Sequence, residues 1–224
     1  MDITGKGDAA QISVTGRNDE LSLHVEGVGV EQNMFIENAY FVAAYYVQLE
    51  GGESFAGDRY ALISYDIGSD DYLTNVYRFI AGEVVYLGNV FGFVAYVNDD
   101  IIRVYDFIHA IGSWSAQRDY ILTPAGPMDP YNGEYLILHD RVYRSMTTAE
   151  AIPVQFLENG KYVNDTLPAG EIIDFMATDG RTYMKFTTLD AREGIIAFTT
   201  ADDWRQYIDG RLIYECFVEV LEFD

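Results

Sequence analysis

Pairs of glycine, asparagine and aspartate recur at short intervals and constrain the fold of this chain more than any other feature. These residue types accept the tight or left-handed backbone that hairpin turns need. Between the pairs, apolar and polar residues alternate, which is the pattern of strands with one buried face. The turn signals are Gly27-Val28-Gly29, Gly51-Gly52, Ala81-Gly82, Asn98-Asp99, Asn159-Gly160, Asp179-Gly180 and Asp209-Gly210.

Strand-forming residues between the turns predict an all-β fold. The 18 tyrosines and 13 phenylalanines favour half-buried, pleated surfaces and argue against disorder. Short helices are expected only after Thr200, which has Asp203 three residues on, and over residues 147–152. Three hairpins are predicted: residues 75–79 with 83–87, residues 93–97 with 101–105, and residues 154–157 with Tyr162.

A proline-rich segment supplies the best boundary between domains. Three of the five prolines lie within residues 123–130. Proline lacks a backbone N–H and fixes φ, so this segment should interrupt the sheets. A chain of 224 residues is long enough for one large or two small domains. We therefore predict two antiparallel β domains, residues 1–124 and 125–224, the first with a blade-like or sandwich-like sheet.

The net charge of -22 comes from 36 acidic and 14 basic residues. Nucleic-acid binding requires clustered cations, and an anionic membrane surface would repel such a chain. No apolar run approaches the ~18 residues of a membrane span, so we expect no membrane insertion. Neutral glycans, cationic groups and divalent metals are the partners that this charge permits. In the simpler interpretation, the acids only keep a β protein soluble.

Residues 2–12 contain alternating oxygen ligands around glycines, a pattern that suits calcium. The segment resembles a degenerate form of the calcium loop in FG-GAP/VCBS-type repeats, which build propeller-like blades. That resemblance implies a metal site at Asp2, Thr4 and Asp8, with Lys6 where an acidic ligand belongs. The alternative is a structural turn in which Asp2 bonds backbone amides. Residues 60–88 continue the residue spacing of such a repeat, and this segment looks like the blade-like regions of uncharacterised secreted proteins of gut Firmicutes.

A second pattern covers roughly residues 135–220. The turn Leu167-Pro168-Ala169-Gly170 opens a strand, Tyr183, Lys185 and Phe186 form an aromatic-x-Lys strand, and Gly194-Ile195 closes the pattern. This arrangement resembles bacterial SH3-like (SH3b) domains, with Ile195 in place of the usual tryptophan. The resemblance implies a small SH3-like barrel for residues 125–224 that binds cell-wall peptides or packs against neighbouring domains.

The N-terminal residues lack the charged start and apolar stretch of a signal peptide. The chain is therefore either cytoplasmic or the mature part of a protein whose leader has been removed. The two family resemblances favour the second interpretation, which places the protein outside the cytoplasm.

No catalytic centre is predicted. Cys216, the single cysteine, lies in a strand-like run and is expected to be a buried hydrophobic residue. His24, His109 and His139 stand alone, without the spacing of a metal site, and are expected to be structural. Among 36 acidic residues, some pair will have the ~5–10 Å separation of a glycosidase by chance, so their presence alone is uninformative.

Exposed aromatic side chains are the remaining candidates, because each offers an apolar face and a polar tip. We predict that Tyr162, Tyr183 and Trp204 bind ligand, and consider Tyr45, Tyr46, Trp114 and Tyr131 as further candidates. The expected function is a non-catalytic binding or adhesion module of an extracytoplasmic bacterial protein. Its partner would be a cell-envelope component, a glycan or a protein, and no cofactor is expected beyond calcium. The alternatives are a carbohydrate-active hydrolase with a carboxylate pair and a structural spacer with vestigial calcium loops.

Overall fold

A computed structural model describes residues 11–17, 20–27, 30–37, 40–48, 59–68, 71–80, 83–138 and 145–218. These residues form antiparallel strands almost throughout, with one four-residue helix, α1 (Ile213–Cys216). The predicted all-β class is therefore confirmed. No helix in these ranges is long and apolar enough to cross a membrane.

Many neighbouring strands are separated by only a few residues, as the turn signals predict. In chain order they are β1 (Gln11–Arg17), β2 (Glu20–Gly27), β3 (Val30–Glu37), β4 (Tyr40–Gln48), β5 (Arg59–Asp66), β6 (Tyr72–Ile80), β7 (Glu83–Phe91), β8 (Phe93–Asn98), β9 (Ile101–His109), β10 (Ser113–Thr123), β11 (Gly126–Met128), β12 (Tyr135–Ile137), β13 (Ser145–Thr147), β14 (Ile152–Glu158), β15 (Lys161–Leu167), β16 (Ile172–Thr178), β17 (Tyr183–Thr188), β18 (Glu193–Ala197), β19 (Thr199–Thr200), β20 (Gln206–Ile208) and β21 (Arg211–Leu212).

The chain divides into two compact units. The first comprises Met1–Asp106 with Asp119–Tyr131, and the second comprises Phe107–Arg118 with Asn132–Asp224. The boundaries fall inside β9 and β10, so each of these long strands contributes residues to both units. The predicted division into domains 1–124 and 125–224 stays a prediction.

All three predicted hairpins are confirmed. β6 and β7 pair next to the turn at Ile80 and Glu83, and β8 and β9 pair at Asn98 and Ile101. β14 and β15 join through Asn159 and Gly160, which adopt φ values of 50° and 77°. Positive φ at both central residues identifies a type I′ turn, whose twist matches that of the flanking strands.

In the first unit, β1-β2-β3 form one meander and β4-β5-β6-β7 form another. Residues 60–65 of β5 are all buried, so both faces of this central strand are covered. Tyr60 and Leu62 pack into an apolar cluster with residues of β8, β9 and β10, including Ile102 and Val104. A strand buried on both faces shows a continuous apolar run instead of an alternation, as the sequence Tyr-Ala-Leu-Ile here illustrates.

A buried polar chain sets the position of β8 against this sheet. The Thr74 hydroxyl donates to the carbonyl of Gly92 at 2.7 Å, so its oxygen accepts the proton of Ser64 at 2.8 Å. Ser64 Oγ in turn accepts from the backbone N–H of Val94 at 3.0 Å. Gly92 has φ +102°, and a Cβ there would lie 2.7 Å from the carbonyl oxygen of Tyr105, so glycine is required.

Two buried tyrosines and an asparagine lie on β5 and β6. The Tyr65 hydroxyl donates to Asn75 Oδ1 at 3.3 Å, and Asn75 Nδ2 donates to the Tyr77 oxygen at 3.4 Å. Burial raises the pKa of Tyr77, and the hydrogen bond from Asn75 offsets only part of the rise. Burial raises the pKa of Tyr65 in the same direction.

These tyrosines should make the first unit sensitive to alkali. An unfolded phenol ionises near pH ~10, whereas a folded phenol with a raised pKa stays neutral there. Each such tyrosine therefore contributes its full stabilisation of the folded state below pH ~10. Above that pH, its contribution to the free energy of unfolding falls by about 1.4 kcal/mol per pH unit. Urea unfolding between pH 8 and pH 11 measures this slope. Tyr77→Phe should flatten it, and an unchanged slope in this variant would contradict the assignment.

In the second unit, hydrogen-bonded strands follow the order β15-β14-β18-β17-β16-β12-β10, and β13 pairs with β16 beside β12. One face of this sheet carries the main core, to which Phe156, Phe175 and Phe186 contribute rings with no more than 2% exposure. The sheets of the described residues are antiparallel and none closes into a barrel, so the predicted SH3-like barrel is not confirmed.

The two predicted helices are wrong. Thr199 and Thr200 form β19, and Asp203 Oδ1 accepts from the backbone N–H of Arg205 in the turn that follows. This local bond satisfies the backbone of a turn instead of a helix start. The other segment contains the end of β13 and the start of β14, with a bend between them. Its Thr148 hydroxyl donates to the carbonyl of Pro168 at 2.6 Å.

The proline-rich segment interrupts the sheets less than predicted. Pro124 and Ala125 form a two-residue turn, after which β11 pairs antiparallel with β10. Pro127 lies opposite Leu122 in this short ladder. β11 has only three residues and lies outside the main order of strands in the sheet. Proline is tolerated there because its missing N–H interrupts no ladder between central strands.

Candidate functional site

The sheet of the second unit has a core face and an opposite face, which we name the outer face. On β17, Met184 and Phe186 are buried in the core, so Tyr183 and Lys185 project from the outer face. The predicted ligand-binding residue Tyr183 therefore lies at the start of an inner strand of an antiparallel sheet. β18 pairs with β17 without a register shift, and β16 pairs with it on the other side through a ladder that contains one bulge.

Cross-strand pairs bring Tyr162 onto the same face. Lys185 pairs with Ile195, and Ile195 pairs with Gln155 on β14. Gln155 Nε2 donates to Asn164 Oδ1 on β15 at 2.8 Å. Tyr162 stands two residues from Asn164 and therefore shares its face. The phenol of Tyr162 is also close enough to Tyr183 to raise its pKa electrostatically.

A carboxylate, a phenol and an ammonium group meet on the outer face. The Tyr183 hydroxyl donates to Glu134 Oε2 at 2.9 Å, and Lys185 Nζ forms an ion pair with the same oxygen. The ammonium lies 6.0 Å from the centroid of the Tyr183 ring. Burial raises the pKa of Tyr183 most, and the hydrogen bond and negative charge of Glu134 raise it further. The cluster is thus neutral and polar in a strongly acidic chain.

The turn before β17 orients Tyr183. Asp179 Oδ1 accepts from the backbone N–H groups of Arg181, Thr182 and Tyr183 at 2.9, 2.8 and 3.1 Å. Burial alone would raise the pKa of Asp179, but these hydrogen bonds and that of the Thr182 hydroxyl lower it below its usual value. The ionised side chain therefore fixes the turn at neutral pH.

Large apolar side chains lie on the same face as the polar cluster and remain open to solvent. Leu136 on β12 pairs with Ala177, which pairs with Lys185, so Leu136 lies in the same cross-strand row. Met176 projects from the bulge that separates Phe175 and Ala177 in the β16–β17 ladder. Exposed fractions between 37% and 51% are found for Leu136, Leu157, Tyr162, Ile172 and Met176. Such a grouping of exposed apolar groups on one surface is typical of an interaction site.

The third predicted ligand residue is placed elsewhere. Trp204 lies in the turn between β19 and β20 of the small sheet, with φ 65° and 84% exposure. The structure therefore brings Tyr162 and Tyr183 together on one face and leaves Trp204 off that sheet. Of the further aromatic candidates, Trp114 is buried in the core and Tyr45 packs against the first unit's apolar cluster, whereas Tyr131 is exposed.

No group of three or more metal-ligating side chains occurs among the described residues. The predicted calcium ligands Asp2, Thr4 and Asp8 lie outside those residues, as does His139. His109 is hydrogen-bonded to Ser113 at 2.7 Å, in agreement with a structural role. Cys216 is fully buried as predicted, and burial raises the pKa of its thiol.

The carboxyl groups with shifted pKa values give no support to acid catalysis. Asp165, Asp179 and Asp203 all have lowered pKa values. Asp165 owes this first to the backbone N–H of Thr166 and then to Arg192, and Asp203 owes it to Arg205. A glycosidase general acid requires a shift in the opposite direction.

Replacing Glu134 by glutamine should lower the pKa of Tyr183. The change removes the negative charge that disfavours the phenolate and leaves the Lys185 ammonium beside it. Nuclear magnetic resonance of ¹³Cζ-labelled tyrosine, with Tyr183→Phe to assign the signal, measures this pKa. Asp174→Asn is the matched control, since Asp174 is bonded to Ser145 and not to the cluster. An unchanged Tyr183 pKa in Glu134→Gln would refute the coupling.

Sequence reasoning missed Glu134, Leu136 and Met176. Glu134 precedes the three-residue strand β12 and lies 49 residues from Tyr183 in the chain. Strand alternation would have placed Lys185 beside Tyr183 on one face, but no local pattern signals the distant carboxylate. Met176 is displaced by a bulge, which breaks the alternation that would assign its face.

Comparisons of this chain with protein-family models, with curated proteins and with solved structures return no match.

Proposed function

We propose that this protein is a non-catalytic binding or adhesion module of an extracytoplasmic bacterial protein, and that the outer face of the second unit binds a neutral glycan of the cell envelope. The observation that carries the proposal is the set of exposed apolar side chains on the same face as the Glu134–Tyr183–Lys185 cluster. Sugars present apolar C–H patches beside hydroxyl groups, and this face presents apolar side chains beside paired hydrogen-bonding groups.

Charge favours a neutral ligand over an anionic one. The chain carries a net charge of -22, which would repel a polyanion, whereas the central cluster compensates its own charges. The amide pair Gln155–Asn164 adds donors and acceptors without charge. A protein partner is the second candidate for the same face, because exposed Leu136, Leu157 and Met176 also suit an apolar protein surface.

The proposal includes the two predicted family relationships, to SH3-like domains and to FG-GAP/VCBS-type repeats. An SH3-like relationship is supported by the position of Tyr183 and Lys185 on an exposed face and of Phe186 in the core. A blade-like or sandwich-like first domain is compatible with its antiparallel meanders. Calcium binding at Asp2, Thr4 and Asp8 is tested by thermal unfolding with and without millimolar calcium, because a native-state ligand raises the midpoint.

Titration with soluble cell-envelope glycans and neutral oligosaccharides, followed by calorimetry, tests the function. Tyr162→Ala should weaken binding about threefold to tenfold, since an aromatic contact contributes roughly 0.5–1.5 kcal/mol beyond buried area. Tyr214→Ala is the matched control, because Tyr214 is similarly exposed but lies in α1, outside the sheet. Equal affinities of the two variants would rule out this face. Binding to none of the glycans or oligosaccharides would favour the spacer interpretation.

A further inference from the structure

β15 stands at the end of the second unit's strand order and pairs only with β14 among the described strands. Residues 161–166 are all exposed, so both faces and the outer edge of this strand are open. Its ladder with β14 has no register shift and no bulge, and β15 contains no proline. Soluble proteins usually block such an edge, because it presents unpaired N–H and C=O groups to any second strand.

The hairpin turn determines which backbone groups face outward. In a two-residue type I′ hairpin, the residues that flank the turn, Glu158 and Lys161, form a hydrogen-bonded pair. The alternation then directs the backbone groups of Val163 and Asp165 toward β14. Those of Tyr162, Asn164 and Thr166 point away from the sheet. The Thr166 N–H is bonded to Asp165 Oδ1 at 2.8 Å, which agrees with this outward direction.

We propose that two copies of this chain pair antiparallel through β15, with Val163 opposite Val163 of the second copy. In this register Tyr162 faces Asn164 of the second copy, and Asn164 faces the second copy's Tyr162. Each of these two pairs exchanges two backbone hydrogen bonds, so the strands are joined by four. The arrangement is isologous and closed, because each contact occurs twice about one twofold axis. The half-exposed Val163 side chains meet at that axis.

Charge selects this register. It places Lys161 directly opposite Asp165 of the second copy, and the same pair recurs at the other end of the strand. Opposite charges in facing positions of an antiparallel pair are stabilising, and like charges are destabilising. A register centred on Asn164 would instead place Lys161 opposite Leu167. Asp165 already accepts from Arg192 at 3.1 Å, and as an exposed carboxylate it has capacity for a second cation.

Pairing would extend the outer face across both copies. Tyr162 and Asn164 project to that face in each copy, and antiparallel strands in one sheet keep facing side chains on the same side. The dimer would thus form one continuous sheet with two Glu134–Tyr183–Lys185 clusters. This association does not depend on the nature of the ligand proposed above.

Sedimentation velocity of the full chain tests the pairing. At about 0.15 M salt, screening reduces the long-range repulsion between two chains of net charge -22 but spares contacts within a strand pair. The apparent mass should rise with concentration from 25.3 kDa toward twice that value. Asn164→Pro removes an outward N–H and leaves the backbone bonds to β14 in place, although it loses the side-chain bond from Gln155, and it should stay monomeric at all concentrations. Tyr214→Ala should dimerise like the unchanged chain.

A charge exchange tests the register. Lys161→Asp places two carboxylates opposite each other at both ends, and should weaken the dimer about tenfold to a hundredfold. The double variant K161D/D165K restores opposite charges and should recover most of that loss. Circular dichroism and the melting midpoint verify folding of each variant. A monomer at about 1 mM, or a dimer that survives Asn164→Pro, would overturn the proposal, as would a double variant no better than Lys161→Asp.

Discussion

Replacing Gln206 with alanine should lower the free energy of unfolding of the second unit by about 2–4 kcal/mol, because it leaves the buried N–H of Ile111 without a partner at ~1–3 kcal/mol and removes a partly buried hydrogen bond to the His109 carbonyl at ~0.5–1.5 kcal/mol. Gln206 is 7% exposed. Its Oε1 accepts from the N–H of Ile111 at 2.7 Å, and its Nε2 donates to the carbonyl of His109 at 2.8 Å. Ile111 is fully buried with φ 50°, a conformation that β-branched residues seldom adopt, so these bonds stabilise a strained turn.

Urea unfolding followed by tryptophan fluorescence measures the effect, since Trp114 lies in the core of the same unit. Gln155→Ala is the matched control. Its amide is bonded to Asn164 on the exposed outer face, and surface changes usually stay within about 0.5 kcal/mol. If Gln206→Ala were no more destabilising than Gln155→Ala, the two hydrogen bonds of Gln206 would contribute little to stability.

Phe175→Ala should lower the free energy of unfolding of the second unit by about 3–5 kcal/mol, the usual cost of truncating a buried phenylalanine. Phe175 has no exposed surface and makes edge-to-face contacts with Trp114 at 5.3 Å and with Phe217 at 6.1 Å. These rings lie on three separate elements of the unit, so the cavity left by alanine would not close by movement of one side chain.

The adjacent Met176 provides the control for Phe175. It belongs to the same strand but is 40% exposed, so Met176→Ala should cost less than about 1 kcal/mol. Trp204→Phe as a background removes the exposed tryptophan and leaves Trp114 as the reporter. Similar unfolding midpoints for Phe175→Ala and Met176→Ala would contradict the position of Phe175 in the core.

The turn chemistry of the chain made its hairpins predictable. Asp99 and Asn159 adopt φ values of 50°, which these residue types tolerate and most others avoid. The same local reasoning failed after Thr200, where Asp203 bonds a turn instead of capping a helix. A Thr-x-x-Asp pattern is compatible with a helix start and with a turn. The turn forms here because β19 pairs with β20, and a local pattern does not show this pairing.

Alternation placed Tyr183 and Lys185 on a common face, since side chains of a strand project to opposite sides in turn. Alternation could not show that Glu134 accepts from both, because that contact spans 49 residues and forms only when β12 joins the sheet through β16. Alternation also could not assign Trp114 to the core, because the residue type alone does not distinguish a buried tryptophan from an exposed one.

The sequence by itself determined the all-β class, the hairpin positions and the burial of Cys216, because turn preference, alternation and hydrophobicity act over a few neighbouring residues. The tertiary structure decided which faces are covered, as in β5, where neither face is open to solvent. It also decided that Tyr162 and Tyr183 share a surface and that β15 has an open edge. These features depend on strand order, and strand order follows from contacts between residues far apart in the chain.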